Sequence, residues 1–175
     1  MTSDLAYPIG KFARPVAITP DARATSIRQL AVLPAELSAA VDGLNDAQLD
    51  TPYRPGGWTV RQVVHHLADS HLNAFVRVKL ALTEESPVIK PYDEKQWAEL
   101  PDAMLPLGPS LEILRGVHQR LVALLQALPE SAFARPLVHP VNGPHTVATM
   151  VALYAWHGRH HLAHVTGVAR REGWE

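Results

Sequence analysis

The sequence predicts an all-α chain folded as an up-and-down-type four-helix bundle, and three observations lead there. Four stretches carry apolar residues at spacings of three and four, each opens on a Ser or Thr placed to cap a helix, and Pro- and Gly-containing segments punctuate the chain between them. At 175 residues and 47% apolar content, the chain fills one core well and two poorly. A single domain over residues 1–175 is therefore expected.

The elements follow in order. Thr19 before Pro20 has the form of an N-cap followed by proline at the first helical position, and Ile27, Leu30, Leu33, Leu37, Val41 and Leu44 form the stripe behind it. Pro34 should bend or divide that helix. Residues 50–57, with two prolines and a Gly-Gly pair, read as a loop. Thr59 caps a second helix with the stripe Val60, Val63, Val64, Leu67, His71, Ala74, Phe75 and Val78. Periodicity fails from Thr83 to Pro109, which predicts a wrapping or lid-like connection with a short helix at Asp93–Leu100. Ser110 is the expected cap of a third helix carrying Leu114, Val117, Leu121, Leu124, Leu125 and Leu128. Three prolines and Asn142-Gly143 within residues 135–145 signal a small hairpin. Thr146 opens the last helix, with Val147, Met150, Val151, Tyr154, Gly158, Leu162 and Val165 on one side.

Charge and composition exclude several functions. A formal charge of −1 and a pI near 6.8 leave no basic surface for a nucleic acid. The start of the chain lacks the pattern of a secretory signal, and no apolar run reaches the roughly 18 residues of a membrane span. A soluble, cytoplasmic protein with no membrane partner is expected. Cysteine is absent, so any thiol chemistry requires a thiol from a small molecule.

Ten histidines remain to be explained. Counting about 100° per residue from Val147, the apolar stripe of the last helix centres near 0°, with His161 at about 320°, His157 at about 280°, His164 at about 260° and His160 at about 220°. His157 and His161 thus form the pair nearest the core. They stand one turn apart, as ligands to one ion require, while His160 and His164 turn further toward solvent. On the second helix His65, His66 and His71 are not spaced to act together, so that helix offers a single imidazole. Packing alone favours His71, which lies within the stripe. His71, His118, His139 and His145 otherwise read as hydrogen-bonded packing residues.

The strings Trp58-Thr59-Val60-Arg61-Gln62-Val63-Val64-His65-His66-Leu67-Ala68-Asp69 and His157-Gly158-Arg159-His160-His161 resemble the DinB/YfiT superfamily of metal-binding four-helix bundles. Tyr7-Pro8-Ile9-Gly10, Gly56-Gly57-Trp58, Pro91-Tyr92-Asp93-Glu94-Lys95 and Arg170-Arg171-Glu172-Gly173-Trp174 place it nearer the YfiT branch. The resemblance implies that His66, directly before Leu-Ala, is the ligand of the second helix and that His157 and His161 are those of the last. It departs from the family at Leu162-Ala163-His164, where many members carry Arg-Gly-Gln, and that leaves the role of His164 open.

Three neutral imidazoles leave a divalent ion, zinc or nickel at one per subunit, its full charge and an open position. Such an ion lowers the pKa of bound water toward about 7 and polarises a carbonyl. The resemblance therefore implies a metal-dependent hydrolase acting on a small molecule. A second reading is an S-transferase joining a low-molecular-weight thiol such as bacillithiol to an electrophile, and a third is a metal-binding stress-response module without turnover. No catalytic residue is assigned; Asp69 and Asn73 are candidate proton-handling neighbours on the flank of His66. The ion is expected near one end of the bundle, and pairing of leftover apolar faces into a homodimer is expected on general grounds.

Overall fold

The computed structural model describes residues 4–174. Its framework is four long helices. The first, α1 (Pro20–Val41), is capped by the Thr19 side chain, which accepts the Ala22 N–H, and it continues unbroken through Pro34. A one-turn helix, α2 (Asp46–Leu49), follows; then α3 (Val60–Thr83) starts on a capping box in which Thr59 and Gln62 satisfy each other's backbone N–H groups. The connection beyond α3 holds the short α4 (Glu94–Trp97), capped by Asp93, and a 3₁₀ turn at Pro101–Met104. After α5 (Gly108–Ala127) and a second 3₁₀ turn at Glu130–Ala134 come strands β1 (Pro136–His139) and β2 (Gly143–Thr146). They pair antiparallel, with Gly143 in the left-handed region (φ 77°) that the predicted turn requires. Finally α6 (Val147–Glu172) opens on a Thr146–Thr149 capping box and ends at Gly173 in the αL conformation.

The third long helix begins differently from expectation. It starts at Gly108 with Pro109 in its first turn, and Ser110 does not cap it. Pro109 lacks an N–H, so the first turn needs one partner fewer, and the Ser110 hydroxyl is buried 2.7 Å from His65 Nδ1.

Helix α1 packs against α5 and α6, and α3 packs against the same two, so α1 and α3 face each other across a diagonal. The apolar core falls into two clusters. One joins Leu30 of α1 with Ala74 and Val78 of α3, Leu121 of α5 and Val151 of α6; the other joins Leu37, Val64, Leu114 and Val165. The early part of α1 thus meets the late parts of α3 and α5 and the early part of α6. Helices α1 and α6 run one way, and α3 and α5 the other. Because α3 and α5 are parallel, the chain must travel back along the bundle between them, which is the physical reason for the long aperiodic connection.

That connection wraps the bundle under hydrogen bonds. Gln62 Nε2 donates to the Ala98 carbonyl at 2.8 Å, and Arg77 Nη2 to that of Lys90 at 3.1 Å. Arg61 donates to Leu105 O while pairing with Asp46 and Asp50. Val88 and Val138 form a single parallel bridge between the connection and β1, with Ile89 N donating to Val138 O and Val138 N to Pro87 O, both at 2.9 Å. No helix among the described residues is long and apolar enough to cross a membrane.

Candidate metal centre

A layer of imidazoles separates the two apolar clusters. His66 and His71 project into it from α3, His118 from α5, and His157 and His161 from α6; all are buried except His157, whose ring partly opens on a cavity. His66 lies early in α3, but His157 and His161 stand near the middle of α6. The site is therefore in the waist of the bundle rather than at its end. Gly158 permits the close approach there: a methyl group at this position would collide with Leu33 Cδ2 and lie 3.3 Å from Leu33 Cδ1 and Cγ.

One ring nitrogen from each of His66, His157 and His161 falls within a 4.8 Å span. His66 Nε2 and His157 Nε2 are 3.2 Å apart. Tetrahedral nitrogen ligands at 2.0–2.1 Å from an ion stand about 3.3 Å from each other, so that pair already has the required separation. Protonation favours the same group. Burial pushes the His66 imidazole down to about 4, and burial followed by the neighbouring imidazoles holds His157 and His161 well below the usual histidine range. All three are neutral at pH 7, with lone pairs to offer. Trp58 covers one side, its ring centroid 4.6 Å from that of His66 and 6.2 Å from that of His161.

Of the remaining histidines, His71 is a buried, hydrogen-bonded packing residue as expected, whereas His160 and His164 are placed differently. His71 has the deepest position in the stripe but faces another histidine: its Nε2 is 3.2 Å from His157 Nδ1, and its Nδ1 is 2.8 Å from His118 Nε2. His160 and His164 are buried rather than turned to solvent. The irregular N-terminal segment covers their face of α6. Tyr7 lies 6.0 Å from the His160 ring, the Ala6 carbonyl is 3.4 Å from His164 Nε2, and Phe12 packs on Trp156. Tyr53 stacks on His164 from the other side at 3.8 Å. Helical periodicity describes one helix at a time and cannot register such a cover.

A cavity of about 390 Å³ opens on His66, His157 and His161. Its far wall contains Ser70 and Arg77 of α3, Tyr92 of the connection, His139 and His145 of the hairpin and Tyr154 of α6. The buried Arg77 guanidinium donates to Tyr154 Oη at 3.0 Å and to the Lys90 carbonyl, and no carboxylate pairs with it among the described residues. Asp69 and Asn73 do not line this cavity. Asn73 Nδ2 donates to the Asp69 carbonyl one turn back, and burial, with Asp102 nearby, pushes the Asp69 carboxyl up to about 6. The usable signal was helical phase, since Ser70 and Arg77 stand four and eleven residues beyond His66 and share its face.

The family model of the DinB superfamily matches residues 29–165. The chain belongs to this superfamily. A Bacillus cereus (strain 03BB102) relative, provisionally named a metal-dependent hydrolase, is 51% identical over 172 residues, covering 98% of this chain and 99% of that protein. A Bacillus thuringiensis subsp. konkukian (strain 97-27) relative with the same provisional name matches equally. Among solved structures, YfiT from Bacillus subtilis, described in similarly provisional terms as a metal-dependent hydrolase with an unusual four-helix bundle topology, superposes with a TM-score of 0.95 at 48% identity, covering 98% of this chain and 99% of that one. TT2238, a four-helix bundle protein, matches at a TM-score of 0.54 and 21% identity over 80% of this chain and 94% of that one, a likeness of fold alone. The DinB superfamily relatives and the three-imidazole cluster together indicate a divalent-metal protein.

Proposed function

We propose that the chain is a metal-dependent hydrolase in which His66, His157 and His161 hold one divalent ion, zinc or nickel, beside the small-molecule cavity. The convergence of three neutral imidazoles on the floor of an open cavity carries this reading. The provisional names of the relatives support it. When bound, the ion supplies Lewis acidity toward water and a carbonyl or similar electrophile. The chain's own groups do the rest. Trp58 and the N-terminal segment shield the imidazoles, while Arg77 and the Tyr92 and Tyr154 hydroxyls offer donors to an oxygen-bearing substrate. Glu94, exposed on the same wall, is the one carboxylate among the residues that line the cavity.

Metal analysis of protein purified without a histidine tag should give close to one divalent ion per chain, and His157→Ala should lose most of it. Ester and amide panels then test turnover, with and without a low-molecular-weight thiol. Cleavage that needs the metal but not the thiol supports the proposal. Thiol-dependent adducts would assign the protein as an S-transferase instead, and stoichiometric metal without either activity would make it a binding module.

A further inference from the structure

A single backbone carbonyl dictates which nitrogen of His157 can bind a metal. In α1 the Leu30 carbonyl would ordinarily accept the N–H of residue 34, but that residue is proline, which has none and whose ring crowds the carbonyl one turn back. The freed oxygen lies 2.6 Å from His118 Nδ1, in a buried setting. A carbonyl can only accept, so His118 carries its proton on Nδ1 and, being neutral, presents a lone pair at Nε2. His71 Nδ1, 2.8 Å away, must therefore be the N–H of that ring, which leaves His71 Nε2 as an acceptor. His157 Nδ1, 3.2 Å further on, must then donate to it. The lone pair of His157 ends on Nε2, which is the atom 3.2 Å from His66 Nε2.

We infer that His71 and His118 are positioning residues that, anchored on the Leu30 carbonyl released by Pro34, lock His157 in the Nδ1–H tautomer and aim Nε2 at the metal. The inference rests on the metal reading above. A histidine ligand is commonly held by a carboxylate or carbonyl at its second nitrogen; here the carbonyl is reached through two intervening imidazoles. The direction of every link follows from the carbonyl, since reversing any one would set two N–H groups or two lone pairs against each other. Both intermediate rings are fully enclosed, with relative exposures of 0% for His71 and 1% for His118. Neither has water to fall back on.

The experiment has two arms. Nitrogen-15 NMR of the metal-free protein reads the tautomers directly: Nδ1–H on His157, His71 and His118 is expected, and Nε2–H on His157 overturns the inference whether or not the protein binds metal. Zinc competition against a chelator then compares wild type with His118→Leu and His118→Gln. The Gln amide keeps a donor for Leu30 and an acceptor for His71, whereas Leu keeps neither. A weakening of about 10- to 100-fold is expected for Leu, with Gln recovering most of it. Equal affinity in all three refutes the relay, as does an equal loss in Leu and Gln, which would mark a packing role. Should His118→Leu fail to fold, His71→Gln and the wild-type NMR spectrum decide. Wild-type protein that takes up neither zinc nor nickel would remove the hydrolase reading, while the metal-free spectrum would still judge the relay.

Discussion

Gly158 and Gly116 offer a matched pair of substitutions with opposite outcomes. Both lie inside long helices, where Gly→Ala alone stabilises by about 1 kcal/mol. At Gly116 on α5 an added methyl meets nothing within 4 Å. At Gly158 it runs into Leu33, which is 2% exposed and sits where α1 packs on α6. Ordinary carbon contacts lie near 3.5–4.0 Å. With Leu33 Cδ1 and Cγ at 3.3 Å and Cδ2 closer still, the Leu33 side chain must change rotamer or the helices must part, at a cost of about 1–3 kcal/mol. The difference between the two variants removes the propensity contribution and isolates that cost. Urea and thermal unfolding of the metal-free proteins should place Gly116→Ala above wild type and leave Gly158→Ala below Gly116→Ala by about 1–3 kcal/mol, a gap of roughly 3–10 °C in Tm. If Gly158→Ala is stabilised as much as Gly116→Ala, the close packing of α1 on α6 described above is wrong. Zinc affinity gives a second readout: it should fall only in Gly158→Ala, because His157 shares that turn of helix.

Other perturbations have defined outcomes. The metal-free protein should lose stability on acidification from pH 6.5 toward 4. Burial holds all ten imidazoles below their usual range, His66 and His164 down to about 4, so the unfolded chain binds protons in that window that the native one refuses. For His66 alone the loss reaches about 3 kcal/mol once pH is below 4. Asp69, raised to about 6 by burial, acts in the opposite direction as a single, partly exposed group. Equal urea midpoints at pH 7 and pH 5 would contradict this account. Zinc at about 100 times its Kd should raise the unfolding free energy by about 2.7 kcal/mol, and differential scanning calorimetry of His161→Ala should show almost none of that gain. Arg61→Met should cost about 2 kcal/mol by thermal melting, since the buried guanidinium bonds Asp50 at 2.7 Å, Asp46 at 2.8 Å and the Leu105 carbonyl, and its loss leaves carboxylates that water can solvate.

The residues that declare themselves in the sequence do so through local chemistry. Thr19, Thr59 and Thr146 are legible because a cap is satisfied within its own helical turn, and Asn142-Gly143 because a positive φ asks for glycine. His157 and His161 are legible as a facing pair from helical phase, whereas His66 came from the resemblance, and periodicity alone favoured His71. Where sequence reading misleads, a distant segment has intervened. Ser110 is taken up by His65, and His160 and His164 are roofed by residues before α1. His71 and His118 look like ordinary packing histidines because what distinguishes them is an orientation imposed from Leu30, on a third helix. Helical phase on α3 could have nominated Ser70 and Arg77, but nothing local says that they face a cavity.

The walls of the cavity have different origins from its floor. The three imidazoles stand on α3 and α6, whose positions are fixed by the core on both sides, while Tyr92, Glu94, His139 and His145 come from the connection and the hairpin, which are tied to each other at Ile89 and Val138. Substitutions in those two peripheral pieces can change what is admitted while leaving the three imidazoles beneath in place. Chains built on this plan can therefore keep the same trio of rings and differ in what fits above it, and the place to look for that divergence is residues 84–107 and 136–146.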